Sequence, residues 1–168
     1  MQKPDQGPIL VTGASGGVGS NAINILANAG YEVHALSGKQ EQFDWLKTLG
    51  AKECIDRHDL EFSGKPLDKG RWAGCIDSVG GATLSGICAL IRPWGNIAAC
   101  GLAGGIKLDT TVMPFIIRGV SLLGIDSPMC PYPIREAIWP KLAAEWKPDK
   151  LDMIRNRIVG LDDLNDIF

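Results

Sequence analysis

Residues 9–22, ILVTGASGGVGSNA, set a short apolar run against four glycines and the opening of a helical pattern. The run PILVT (8–12) has the length of a buried strand and ends at a glycine. Glycines 13, 16, 17 and 19 then fall between that strand and a helix start. Such a turn presents several backbone N–H groups at the positive end of a helix, which suits a pyrophosphate. Glycine is required there because a Cβ would block the phosphates or the crossing of helix over strand. The strand before and the helix after supply the context that a bare glycine pattern lacks. A Walker A loop is excluded, since no Lys followed by Ser or Thr closes the glycines.

Working outward, Val18, Ala22, Ile25, Leu26 and Ala29 recur at helical spacing, predicting a helix over 17–28 with that face on a sheet, stopped by Gly30. YEVHALS (31–37) reads as a second strand, and KQEQFDWLKTLG (39–50) as an amphipathic helix with Phe43, Leu46 and Leu49 inward. KECID (52–56) is a third strand and 57–71 a polar loop. Residues 72–80, 95–101 and 120–126 are three further strands, with a helix at 82–91. A last helix spans 133–146, with Pro140 expected to bend or divide it. This alternation predicts an α/β chain of the Rossmann type, a doubly wound, mainly parallel six-stranded sheet with helices on both faces.

The composition agrees with a globular domain. The 168 residues are 45% hydrophobic and 21% charged, with 17 Lys and Arg against 19 Asp and Glu. A net charge of −2 argues against a nucleic-acid or anionic-membrane surface. No stretch reaches the ~18 unbroken apolar residues of a bilayer span, and MQKPDQGP lacks the pattern of a signal peptide. Five scattered cysteines (54, 75, 88, 100 and 130) read as reduced, buried thiols of a cytoplasmic protein. Cys100 in particular reads as a small core residue rather than a nucleophile. His34 and His58 are the only histidines, and no CxxC or HxxxH spacing suggests a metal site.

The end of the second strand bears on the choice of cofactor. An NAD site places Asp or Glu about 20 residues beyond the glycines, on the ribose hydroxyls. That count reaches Ser37, Gly38 and Lys39, with no carboxylate, while Glu32 comes too early in the strand. A hydroxyl, a free backbone N–H and an ammonium suit a 2′-phosphate instead, and Arg57 adds a guanidinium after the third strand. NADPH is therefore expected over NADH. The glycine loop also fits short-chain dehydrogenases, whose acid is a Tyr with a Lys four residues on. Here Tyr31 is followed by Ala35 and Tyr132 by Glu136, so that mechanism lacks its acid.

The segments VTGASGGVGS (11–20), SGK (37–39), LGA (49–51), WAGCIDSVGG (72–81), ACGLAGG (99–105) and TTVMPFIIRGVSLLGIDS (110–127) occur in this order. Together they resemble the nucleotide-binding domain of zinc-free medium-chain reductases, in particular the YhdH-type quinone oxidoreductase and acrylyl-CoA reductase family. The resemblance implies NADPH held at Ser15, Gly16, Gly17 and Val18, with Ser37, Gly38 and Lys39 on the 2′-phosphate and Arg57 on the cofactor. Lys39 stands where some members carry Arg, which keeps the charge but gives up the bidentate fork. Along the nicotinamide half it implies Ser78, Val79, Cys100, Gly101, Leu102 and Ser127, all at strand ends. The implied reaction delivers hydride to an α,β-unsaturated carbonyl or acyl-CoA thioester.

The family also implies a division of the chain. Residues 1–150 form the NADP(H)-binding domain, and 151–168 begin a return segment to a catalytic domain outside this chain. Substrate pocket and proton donor would belong to that domain, so cofactor binding without turnover is expected. A non-catalytic NADPH-binding sensor or interaction module and an atypical short-chain reductase stay open as alternatives. VSLLGID (120–126) is apolar and reads as an edge strand, which implies a homodimer.

Overall fold

A computed structural model describes residues 2–155 and 157–166. Six strands, β1 (Ile9–Thr12), β2 (Val33–Ser37), β3 (Glu53–Asp56), β4 (Trp72–Asp77), β5 (Ile91–Ala99) and β6 (Ser121–Gly124), form one sheet in the order β3-β2-β1-β4-β5-β6. All five pairings are parallel. The expected doubly wound fold is the one observed, and the strand order reverses between β1 and β4.

Alternation along each strand divides the core between the two faces of the sheet. Leu10, Leu36, Ile55, Trp72 and Ile97 pack with Leu84 and Ile87 of α3 (Gly81–Leu90). Val11, Val33 and Ala35 pack on the other face with Ile23 of α1 (Gly17–Asn28) and with Leu46 and Leu49 of α2 (Phe43–Leu49). The segment 57–71 contains no helix or strand.

Several details depart from the sequence reading. The buried positions of α1 are Gly19, Ser20, Ile23 and Asn24; Val18 is 57% exposed and Ala29 is exposed. Close approach to the glycine turn decides this face: a Cβ on Gly19 would stand 2.4 Å from the Gly13 carbonyl oxygen. Small residues therefore face the sheet in the first turn, and Ile23 with Ala22 and Leu26 carries the apolar packing beyond it. A short helix, α4 (Met113–Arg118), precedes β6, with a proline in its first turn.

The helix α5 (Tyr132–Ala143) runs on through Pro140 without division and buries none of its residues. The chain then returns to α1. Asn24 and Asn28 donate to Asp149 Oδ1 at 2.8 and 3.0 Å, the Lys150 N–H donates to Asn24 Oδ1 at 3.1 Å, and Ile154 of α6 (Leu151–Ile154) joins the α1–α2 cluster. Part of the expected return segment, at Asn156, Ile167 and Phe168, lies outside the described residues. Of the cysteines, Cys75 and Cys88 are buried, Cys54 and Cys130 are half-buried, and Cys100 is exposed. Cys100 follows the last residue of β5 at the open carboxyl edge, which corrects its assignment to the core. No helix among the described residues is long and apolar enough to cross a membrane.

Candidate nucleotide-binding site

The turn after β1 brings the chain back over its own strand. Gly13 adopts φ +57°, and a Cβ there would stand 2.4 Å from Ser78 Oγ. Gly16 caps α1 with extended backbone and no side-chain hydrogen bond, and the first turn holds no acidic residue. The helix end is thus left to an anion. Beside Gly17 the space is open, with nothing within 4 Å of a Cβ position, and Val18 is exposed on the same turn. Gly19 is shut in by backbone. The pattern is what a pyrophosphate cradle needs: closed towards the strand and open outwards.

A cavity of about 200 Å³ adjoins this turn, lined by Gly13, Ser15, Leu36, Ser37, Gly38, Lys39, Arg57, Val79 and Thr83. Ser15, Ser37, Gly38, Lys39, Arg57 and Val79 were all singled out from the sequence, and the fold brings them to one place. Ser15 Oγ and Ser37 Oγ lie 3.1 Å apart, and the Lys39 N–H donates to Ser37 Oγ at 3.1 Å. Arg57 lies across Gly38, where a Cβ would come within 2.5 Å of Arg57 Nε. Glu32 pairs instead with His34, at 2.9 Å from its Nε2, and does not line the cavity.

The inner wall rests on a buried pair. The Thr12 hydroxyl donates to Asp77 Oδ1 at 2.7 Å and accepts the Ser78 N–H at 3.1 Å. Asp77 Oδ2 accepts the Gly80 N–H at 2.8 Å, and Ser78 Oγ donates to the Thr12 carbonyl at 3.0 Å. Sequence reasoning passed over Thr12 and Asp77 as site-shaping residues. A carboxylate inside the apolar run WAGCID was the available signal, because buried charge needs partners. Thr83, another lining residue, carried no sequence signal.

The remaining residues lie further along the strand ends. The Cys100 N–H donates to the Asp77 carbonyl at 2.8 Å, and Gly101 lies so close to Ser78 that a Cβ would stand 2.3 Å from its carbonyl oxygen. Burial, and secondly the Asp77 charge, push the Cys100 thiol above its ordinary pKa, which disfavours the thiolate. Leu102 is exposed, and the Ser127 carbonyl accepts Arg135 Nη2 at 2.6 Å. Cys100, Gly101, Leu102 and Ser127 do not line the 200 Å³ cavity. Neither tyrosine lines it; Tyr31 donates its hydroxyl to the Gln2 carbonyl at 2.8 Å. A larger groove of about 710 Å³, between residues 62–68, α3 and residues 104–111, shares no residue with it.

A doubly wound parallel sheet with a glycine cradle at its switch point defines a dinucleotide-binding domain of the Rossmann class. The zinc-binding dehydrogenase family matches residues 17–144, and the chain belongs to that family. Among the described residues no group of three or more His, Cys, Asp or Glu could hold a metal ion. YhfP of Bacillus subtilis is 46% identical over 162 residues, covering 95% of this chain and 49% of that protein. Its crystal structure with NAD bound superposes with a TM-score of 0.94, covering 99% of this chain and 52% of that one, at 45% identity. Acrylyl-CoA reductase AcuI of Ruegeria pomeroyi is 49% identical over 154 residues, 90% of this chain and 47% of that protein. The crystal structure of Escherichia coli K-12 YhdH with bound NADPH gives a TM-score of 0.91 at 42% identity, over 98% of this chain and 50% of that one. The chain thus spans about half the length of the relatives it matches.

Proposed function

We propose that this chain is the NADP(H)-binding domain of a medium-chain reductase acting on an α,β-unsaturated carbonyl or acyl-CoA thioester, as an acrylyl-CoA reductase or quinone oxidoreductase does. The observation that carries the reading is the convergence of Ser37, Gly38, Lys39 and Arg57 on the cavity beside the uncapped N-terminus of α1. Lys39, Arg57 and the Ser37 hydroxyl, at neighbouring strand ends on one edge of the sheet, suit an adenosine 2′-phosphate, and no carboxylate among the described residues lines the cavity.

Ser15, Gly16, Gly17 and Val18 hold the pyrophosphate, through backbone N–H groups at the helix end. Ser37, Gly38, Lys39 and Arg57 hold the 2′-phosphate. Ser78, Val79, Cys100, Gly101, Leu102 and Ser127 border the nicotinamide half. NADPH, when bound, supplies the hydride for the β-carbon of the substrate. Residues 1–150 constitute the cofactor domain, and 151–168 begin the return to a catalytic domain that supplies substrate contacts and the proton. The full enzyme is a cytoplasmic homodimer. Free thiols at all five cysteines and the apolar edge strand β6, with Leu123 and, just beyond the strand, Ile125 each 47% exposed, support this part of the reading.

The test mixes the chain with NADPH and acrylyl-CoA or a quinone and follows NADPH absorbance. Bound cofactor without oxidation is expected. Sustained turnover by these residues alone would contradict the assignment of the chemistry to a second domain.

A further inference from the structure

Arg57, which lines the cavity described above, is joined through its side chain to that of its neighbour His58, which does not line it. The Arg57 Nε–H donates to His58 Nε2 at 3.3 Å. An imidazole nitrogen that accepts is unprotonated, so this contact requires the neutral ring with its proton on Nδ1. Gly38 supplies the floor: a Cβ at that position would meet Arg57 Nε at 2.5 Å and its Cδ and Cζ at 3.0 Å. The guanidinium is therefore bounded on one side by backbone and held at Nε by a ring. Its two terminal nitrogens, with four N–H groups, stay free of that contact.

The backbone that carries the ring is anchored from below. The His58 N–H donates to Asp56 Oδ1 at 2.8 Å, and the Gln40 side chain donates to Asp56 Oδ2. These two bonds, with the adjacent Arg57 charge, hold the Asp56 carboxyl below its ordinary pKa. Asp56 is buried at the end of β3, while Gln40 follows Lys39 directly. One carboxylate thus ties together the two turns that carry Lys39 and Arg57.

We propose that His58 is a positioning residue for the adenosine 2′-phosphate: by accepting the Arg57 Nε–H it aims the terminal guanidinium nitrogens into the cavity and sets the preference for NADPH over NADH. The inference rests on the NADP(H) reading above. An exposed arginine loses much side-chain freedom when it grips a phosphate, and an acceptor already in place reduces that loss. Gln at position 58 can present an amide oxygen near the place of Nε2, whereas Ala cannot.

The test is calorimetric titration of wild type, His58→Ala and His58→Gln with NADPH, NADH and 2′,5′-ADP, with circular dichroism to confirm folding. His58→Ala is expected to weaken NADPH and 2′,5′-ADP about 3- to 10-fold, the worth of one ordinary hydrogen bond acting through Arg57, and to leave NADH unchanged. His58→Gln is expected to stay within about 2-fold of wild type for all three. Equal losses for NADPH and NADH would mean a merely structural role and would overturn the proposal. Unchanged NADPH preference in His58→Ala would overturn it while leaving the cofactor reading intact. A wild type that binds NADPH no better than NADH would overturn both.

Discussion

Thr12 and Asp77 lie at the ends of the two strands that flank the switch point, and the hydroxyl of one donates to the carboxylate of the other at 2.7 Å. Both residues have no solvent exposure. Asp77 also takes the Gly80 N–H, and Thr12 takes that of Ser78. One buried pair therefore fixes the backbone on both sides of the crevice in which the cofactor is proposed to sit.

Thr12→Val keeps the shape and removes the hydroxyl. It leaves Asp77 Oδ1 short of a donor and the Ser78 N–H without its acceptor. A loss of about 2–4 kcal/mol is expected, from two buried polar groups left wanting. Denaturant unfolding measures it, and a change under about 0.5 kcal/mol would show that the pair contributes little.

Gly17 and Gly19 lie two residues apart and make opposite predictions. A Cβ on Gly19 would overlap the Gly13 oxygen and the Ala14 Cα, at 2.4 and 2.7 Å, so Gly19→Ala should cost about 1–3 kcal/mol of stability. A Cβ on Gly17 meets open space, so Gly17→Ala should fold normally. The same Cβ enters the anion cradle, and NADPH affinity should fall about tenfold or more. Thermal melts and calorimetry of both variants separate the two effects; equal behaviour would argue against the cradle.

Lys39 and Arg57 should act on one phosphate only. Replacing Arg57 with Met is expected to weaken NADPH about tenfold, by loss of a charge-assisted contact, and to leave NADH within about twofold. Paired titrations check this, and parallel losses for both nucleotides would place the guanidinium elsewhere on the cofactor.

Acid should loosen the contact of Asp149 with α1. Hydrogen bonds from Asn24, and secondly Asn28, hold the Asp149 carboxyl below its ordinary pKa. A depressed folded-state pKa stabilises the protein above the unfolded carboxylate value of about 3.9, and that stability is lost as pH falls through the lower, folded value. Asp149→Asn should therefore flatten the acid limb of the stability–pH curve. An unchanged limb would show that the contact does not couple to folding.

The strands and the glycine turn were legible because continuous apolar runs ending in glycine have few other uses. The same holds for Ser37, Gly38, Lys39 and Arg57, since strand ends in a parallel sheet share one edge. The packed face of α1 was legible only in part. Periodicity placed Ala22 and Leu26 against the core but also favoured Val18 and Ala29, which are exposed, whereas close crossing at Gly19 and the polar clamp at Asn24 bury those positions instead. The helical pattern of α5 was legible, whereas its undivided course through Pro140 was not. Cys100 looked apolar by its surroundings in sequence; its exposure comes from its place one step beyond β5.

Exposure of β6 and α5 leads to a measurement of assembly. Leu123→Asp puts a charge on the edge strand through which the homodimer is proposed to form, and sedimentation should then show less dimer than for wild type. Identical sedimentation of variant and wild type would place the contact elsewhere.

The central claim is that this chain receives the diphosphate on the α1 turn and an extra phosphate between Lys39 and Arg57. Isothermal titration of the folded chain with NADPH, then with NADH, tests it most directly. Saturable binding, tighter for NADPH, is the expected result. No heat and no saturation at millimolar NADPH would contradict it.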